Sequence, residues 1–212
     1  MKSLSDCRLY TFVDTGYLHG RAPERVAQEL CDGGSDLIQL RAKNSSPDEV
    51  RKIAEKILPV TRQAGVRLVI NDHLSVAQEL GTEFCHLGQE DFFDAGHKRV
   101  AELKIQSAKL KIGLSTHAPE QAQRALAAGP DYIAIGPVYA TGTKPTAKPV
   151  TLEYVRWAAA NVTIPWFAIG GINLETLDEV LAAGARRICV VSAILNAKDI
   201  ASECGEFRKR LN

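Results

Sequence analysis

Three polar residues, Gln39, Arg41 and Lys43, alternate by two within the string IQLRAK. A β-strand aims every second side chain to the same side, so an extended chain presents all three together. An amide and two cations suit a diphosphate joined to a heterocycle, because arginine matches phosphate oxygens with paired hydrogen bonds. The alternative is a strand end with solvated charges, and the further cation Lys144 favours the anion site.

Two carboxylates, Asp72 and Asp91, follow runs that read as adjacent strands. Neighbouring strands lie about 4.8 Å apart, and two carboxylates that close repel each other unless a cation lies between them. Mg²⁺ is bound in this manner, by one or two carboxylates together with substrate phosphates. The pair predicts a Mg²⁺ site, and helix capping stays open for Asp72 because a helix is expected over 74–80.

Other expected strand ends also carry groups that could bind an anion. Gly170-Gly171 and Val191-Ser192 follow the last two apolar runs, and the loops after strands seven and eight of a barrel often hold a phosphate. A Gly- and Pro-rich loop supplies two hydroxyls and Lys144, although plain turn chemistry is the alternative there. The other candidate contacts on the rim are Leu40, Ala42, Asn71, Ser115, Thr141, Gly142 and Thr143.

Two histidines could act as a general base. His86 lies within an apolar run and reads as structural. For His117, substrate contact and packing at a helix start both stay open.

The elements that must position these residues alternate along the chain. Continuous apolar character is typical of strands buried on both faces of a parallel sheet. The expected strands are 9–13, 37–40, 67–70, 84–87, 111–114, 132–135, 166–169 and 188–191. Amphipathic stretches at 47–64, 119–128 and 174–183 read as helices, the first with Ser46 as its N-cap. Eight such units favour a (β/α)₈ TIM barrel of the α/β class, one domain over 1–212; five or six strands would leave a doubly wound fold open.

Composition narrows the function further. The 212 residues are 45% hydrophobic, an ordinary value for a globular protein. Their net charge of +1 gives no global attraction to nucleic acid or to an anionic membrane. No apolar run reaches the roughly 20 residues of a membrane span, and no signal peptide is visible, so a cytoplasmic protein is expected. The five cysteines form no CxxC pair. No clear dimer patch stands out, and a homo-oligomer stays open.

The set of strand ends resembles thiamine-phosphate synthase (thiamine-phosphate pyrophosphorylase) along almost the whole chain. The matching strings, in order, are IQLRAK, IND, HLGQED, GLSTH, IGPVYATGTK, AIGGI and VVSAI. The resemblance implies a transferase that joins a pyrimidine diphosphate to a thiazole phosphate and releases diphosphate.

The resemblance also assigns roles to the rim residues. Asp72 and Asp91 would hold Mg²⁺, and the catalytic residues would be Arg41, Lys43, Ser115 and Lys144. The pyrimidine diphosphate would contact Gln39, Arg41, Lys43, Asn71, Ser115 and Lys144. The thiazole phosphate would lie against Thr141, Thr143, Gly171, Val191 and Ser192.

Three rival functions are weighed against this one. A thiazole tautomerase of the same superfamily would keep the phosphate end and could use His117, but it has no need of the diphosphate set. A sugar-phosphate isomerase or epimerase would need a placed acid–base pair. A non-catalytic sensor of thiamine precursors would have lost a metal ligand or Lys144. The segment 92–110 looks long for the resembled family, and the loop after Lys43 looks short.

Overall fold

A computed structural model describes residues 3–104, 109–142 and 149–211. Within them, parallel strands form one closed barrel in the order β1 to β8, with β1 pairing β8. The strands are β1 (Leu9–Asp14), β2 (Leu37–Arg41), β3 (Arg67–Asn71), β4 (Phe84–Gly88), β5 (Lys111–Thr116), β6 (Tyr132–Ile135), β7 (Trp166–Ile169) and β8 (Ile188–Cys189). The predicted (β/α)₈ barrel is confirmed, and the open doubly wound sheet is excluded.

Helices alternate with the strands. They are α1 (Pro23–Asp32), α2 (Pro47–Gln63), α3 (Leu74–Glu79), α4 (Gln89–Asp94), α5 (Pro119–Ala128), α6 (Thr151–Asn161), α7 (Leu177–Ala182), α8 (Ser192–Leu195) and α9 (Ile200–Arg210). Short 3₁₀ helices span Leu4–Asp6, Thr15–Tyr17 and Val100–Lys104. In the described ranges, no helix has the length and apolar character needed to cross a membrane.

Local sequence chemistry explains where the helices begin and end. Ser46 caps α2 in a reciprocal capping box with Glu49, as its Ser-Pro start predicted. Helix α5 has the predicted bounds and ends at Gly129 in the left-handed conformation. Helix α7 begins later than predicted, because the Asn173 carboxamide oxygen accepts from the Glu175 and Thr176 amides, both at 2.9 Å, and forms a separate turn first.

The ends of β1 to β5 and of β8 differ from the predicted ones by one or two residues. Strand β5 continues to Thr116 because Ser115 and Thr116 still pair with Ala134 and Ile135 of β6. Strand β8 ends at Cys189 because Val191 has left the extended conformation to become the N-cap of α8.

Aromatic rings fill the amino-terminal half of the barrel interior. Phe167 packs edge-on against Tyr10 at 5.3 Å and against Tyr132 at 5.8 Å between ring centroids, and Phe84 lies 6.3 Å from Tyr132. All four side chains are fully buried and stand at the first or second position of their strands. These rings fill the barrel interior below the strand ends that carry the polar residues.

Candidate active site

A cleft lies at the carboxyl-terminal mouth of the barrel, where the chemistry of such barrels is found. It encloses about 1060 Å³, including space open to solvent. The predicted rim residues in its wall are Gln39, Arg41, Lys43, Asn71, Asp72, Asp91, Ser115, Thr141, Gly171, Val191 and Ser192. The fold therefore brings together residues that the sequence spreads over more than 150 positions.

Three further rim candidates, Leu40, Ala42 and Gly142, do not line the cleft. Leu40 and Ala42 are buried, with side-chain exposures of 0% and 6%, and do not belong to the cleft wall. Gly142 is exposed beside Thr141. Thr143 and Lys144 lie outside the described residues. For these five residues, as for those in the cleft wall, ligand contact stays a prediction.

Arg41 is held by an acidic neighbour at the cleft edge. Its Nη1 donates to Oδ2 of Asp14 at 2.6 Å, and Asp14 is its register partner across β1 and β2. The other oxygen of Asp14 accepts from the Gly16 amide at 2.9 Å. Sequence reasoning missed Asp14, although it is the polar residue that ends the first strand and the strand-end rule would have found it. Asp14 positions the guanidinium at the mouth.

Lys43 reaches the cleft by a different route from the one predicted. Strand β2 ends at Arg41, so strand alternation does not extend to Lys43. Lys43 lies in the loop before Asn44, whose φ of 65° turns the chain, and its exposed side chain lines the cleft. The predicted convergence with Gln39 and Arg41 in one cleft is therefore present, although Lys43 lies in a turn closed by the Ser45 amide and the Ala42 carbonyl oxygen and not in the strand.

The carboxylates of Asp72 and Asp91 interact electrostatically across the mouth. The pKa of Asp72 is raised, first by the enclosing walls of the cleft and then by the negative charge of Asp91. The Asn71 side-chain amide opposes this effect by donating to Asp72 Oδ2 at 2.6 Å, and Lys43 opposes it by its charge. His73, not Asp72, is the N-cap of α3, so the capping alternative is wrong. Asp91 lies in the first turn of α4.

The loops after β7 and β8 form the opposite side of the cleft. Gly170 and Gly171 both have positive φ, at 104° and 65°, and line the cleft together with Val191 and Ser192. Ser192 is the first residue of α8. Backbone at such a place can approach an anion closely.

A hydrogen-bond chain of buried polar groups runs beneath the cleft. The Gln39 side-chain amide donates to the Tyr10 hydroxyl at 2.6 Å, which lies 3.2 Å from the Tyr132 hydroxyl. The Tyr132 hydroxyl lies 3.3 Å from His86 Nδ1. His86 is buried, as predicted, and also lines the cleft. Sequence reasoning missed Tyr10, since a tyrosine in an apolar strand is not distinguishable from core.

His117 lies at the end of β5, with its ring in the cleft wall. Its Nδ1 hydrogen-bonds the Gly136 carbonyl oxygen, and its backbone amide donates to the Gln121 side chain at 2.7 Å. These contacts tie the residue to both β6 and α5. His117 therefore packs at the start of α5 and also lines the cleft, so both alternatives stay open for it.

Known proteins match this chain along nearly its full length. A family model described as thiamine monophosphate synthase matches residues 9–194. A thiamine-phosphate synthase of Thermus thermophilus is 45% identical over 180 residues, which cover 84% of either chain. One from Lawsonia intracellularis is 36% identical over 97% of this chain and 93% of its own. The solved thiamine phosphate pyrophosphorylase of Pyrococcus furiosus superposes with a TM-score of 0.84 at 30% identity, covering 97% of this chain and 95% of that one.

Fold, cleft and relatives together define a (β/α)₈-barrel transferase. The chain belongs to the thiamine monophosphate synthase family.

Proposed function

We propose that this enzyme condenses 4-amino-5-hydroxymethyl-2-methylpyrimidine diphosphate with 4-methyl-5-(2-phosphoethyl)thiazole, or its carboxylated form, to give thiamine phosphate and diphosphate. One observation carries the proposal: Arg41 and Lys43 share one cleft with Asp72 and Asp91. Two cations and two carboxylates together suit a metal-bound diphosphate, whereas a monophosphate ligand needs no such set.

The residues divide between the two substrates. We assign Gln39, Arg41, Lys43, Asn71, Ser115 and Lys144 to the pyrimidine diphosphate, with the neighbouring Leu40 and Ala42 in the same segment. We assign Thr141, Gly142, Thr143, Gly171, Val191 and Ser192 to the thiazole phosphate. The loop after β7 supplies glycine backbone and the loop after β8 supplies Val191 and Ser192 for the single phosphate, and the β2 segment supplies cations for the diphosphate. Two substrates can therefore lie side by side in one cleft.

Asp72 and Asp91 fit a Mg²⁺ ion. Enclosure in the cleft and then the negative charge of Asp91 raise the pKa of Asp72, and a cation between the two carboxylates would relieve their repulsion. Among the described residues, no three His, Cys, Asp or Glu side chains form a metal-binding group. Mg²⁺ needs no such group, because it commonly takes one or two carboxylates and completes its shell with phosphate oxygens and water. When bound, it would offset negative charge on the diphosphate.

The chemistry follows from this arrangement. The C–O bond between the pyrimidine methylene and the diphosphate breaks, and the bonding electron pair leaves with the diphosphate. The thiazole nitrogen then donates its lone pair to the methylene carbon to form the new C–N bond. Arg41, Lys43, Ser115 and Lys144 stabilise the departing charge by donating hydrogen bonds to its oxygens. No side chain has to become covalently attached.

The test is incubation of the purified enzyme with both substrates and Mg²⁺, with thiamine phosphate measured by chromatography and diphosphate by a coupled assay. The expected result is equal amounts of both products. Arg41→Gln should lower kcat/KM by more than about a hundredfold, and Arg51→Gln, in an exposed ion pair on α2, serves as its control. Isomerisation of the thiazole without condensation would instead support the tautomerase and overturn the proposal.

A further inference from the structure

Gly88 ends strand β4 at the cleft, and its backbone conformation does not require a glycine. Its φ of −61° and ψ of 133° are ordinary extended values that any residue adopts. It pairs with Ser115 of β5 and lines the cleft, as does His86 two residues earlier on the same strand. Because side chains two positions apart on a strand point to the same side, a side chain at position 88 would project into the mouth of the barrel.

The carboxylate of Asp91 occupies the space where that side chain would begin. A Cβ atom at position 88 would lie 2.5 Å from Asp91 Oδ2 and 3.3 Å from Asp91 Cγ. The third nearest atom, at 3.8 Å, is Asp91 Cβ, so all three belong to one side chain. Asp91 lies in the first turn of α4, whose N-cap is Gly88, and its side chain folds back over that N-cap residue.

The obstacle at Gly88 can move, which distinguishes this glycine from those packed against the core. At Gly113 an added Cβ would lie 2.1 Å from the buried ring of Tyr132. At Gly88 it would meet only the end of an exposed side chain, which makes no capping hydrogen bond at the start of α4. Asp91 can therefore turn to another rotamer at small cost. A Cβ at position 88 should displace the carboxylate and leave the barrel folded.

We propose that Gly88 is a positioning residue for the divalent cation, because its lack of a side chain lets the Asp91 carboxylate lie over the end of β4, on the side of Asp72. The inference rests on the proposed function, in that it takes Asp72 and Asp91 to hold the cation. The Asp72 amide donates to the His86 carbonyl oxygen at 2.9 Å, which ties Asp72 to β4 two residues before Gly88. Metal–ligand distances are held to within about 0.2 Å, so a displaced carboxylate is lost as a ligand.

The experiment measures the binding of Mn²⁺, which takes the same oxygen ligands as Mg²⁺, through the electron paramagnetic resonance signal of the free ion. Gly88→Ala should bind Mn²⁺ at least about tenfold more weakly than the wild-type chain, with an unchanged midpoint of urea unfolding. Gly205→Ala is the matched control, because an added Cβ there meets nothing within 4 Å, and its Mn²⁺ affinity should equal that of the wild-type chain.

A second background tests whether Gly88 acts through Asp91. Asp91→Ala removes the carboxylate, so adding Gly88→Ala to it should change the Mn²⁺ affinity by less than about twofold. A general distortion of the cleft would weaken binding equally in both backgrounds, and that result would overturn the role of Gly88. In a crystal structure of Gly88→Ala, the Asp91 carboxylate should have turned away from position 88, and an unmoved carboxylate would overturn the proposal.

The outcomes separate this inference from the proposed function. Unchanged Mn²⁺ affinity in Gly88→Ala, or no Mn²⁺ binding by the wild-type chain, overturns the role of Gly88 even where thiamine phosphate is formed. Binding of Mn²⁺ that is lost in Gly88→Ala, without thiamine phosphate formed by the wild-type chain from the two substrates, would overturn the synthase proposal and support the role of Gly88.

Discussion

Asp14 and Arg41 face each other across the last register pair of β1 and β2, with 2.6 Å between carboxylate oxygen and guanidinium nitrogen. Asp14 is 98% buried, so its charge is weakly screened and the pair is firmly oriented. The contact couples a core strand to a cation at the substrate cleft.

Asp14→Asn should lower the efficiency of the enzyme while the barrel stays folded. Asparagine can still accept from the Gly16 amide, but it removes the charge that orients Arg41. We expect KM for the pyrimidine diphosphate to rise about tenfold, measured by steady-state kinetics. Asp48→Asn, which breaks the exposed pair with Arg51, should leave KM unchanged. Equal effects of the two variants would show that Asp14 does not act through Arg41.

Asp91→Asn should weaken Mg²⁺ binding by more than about tenfold, because the site loses one of two negative charges. It should also lower the pKa of Asp72, since the charge of Asp91 is one cause of its elevation. Calorimetry measures the first effect, and the pH titration of the Asp72 carboxyl carbon by NMR measures the second. Asp94→Asn, on the exposed side of the same helix, provides the comparison. An unaltered Mg²⁺ affinity in Asp91→Asn would remove Asp91 from the metal site.

Asp72→Asn should abolish Mg²⁺-dependent turnover yet slightly raise the melting temperature at pH 7. The pKa of Asp72 is higher in the folded protein than the ordinary value of 3.8, so the folded state binds this proton more tightly than the unfolded state does. The free energy of unfolding therefore falls as the pH rises above 3.8 and the carboxyl loses its proton. Asparagine has no negative charge to enclose or to place near Asp91, and it tolerates the φ of 63° at this position. Below about pH 3.8 the carboxyl is protonated in both states, and the advantage should disappear. Calorimetric melting at pH 7 and pH 3 checks the sign, which a lower melting temperature at pH 7 would contradict.

Gly136→Ala should destabilise the barrel beneath the cleft. A Cβ there would lie 2.1 Å from the Ile169 carbonyl oxygen, and this backbone atom of β7 cannot move aside. The expected cost is about 1–3 kcal/mol in the free energy of unfolding, measured by urea titration. Gly205→Ala in α9 meets nothing within 4 Å and should instead gain about 0.5–1 kcal/mol from helix propensity. Loss of stability in both variants would mean that crowding at Gly136 is not the cause.

The sequence could predict the barrel because buried parallel strands leave unbroken apolar runs, and β6 and β7 have the predicted bounds. It could predict most of the cleft wall because polar residues at strand ends converge in this fold. It could not predict that β2 ends at Arg41 and that Lys43 lies in a turn. That turn includes Asn44 with a positive φ, a backbone conformation that the residue types alone do not specify. Nor could it separate Tyr10 from ordinary core, because a tyrosine within an apolar strand looks the same whether it only fills the core or also lines the cleft.

The closure of the barrel has a consequence for how the protein is made. Strand β8 contributes only Ile188 and Cys189 and pairs with Leu9 and Tyr10, nearly the whole chain away. At ordinary translation speeds roughly 10–40 s pass between the synthesis of these two strands. During that interval β1 has no partner on its outer edge, and an unpaired strand edge is a template for pairing with another nascent chain. The first strand therefore keeps that edge unpaired until the last strand has been made.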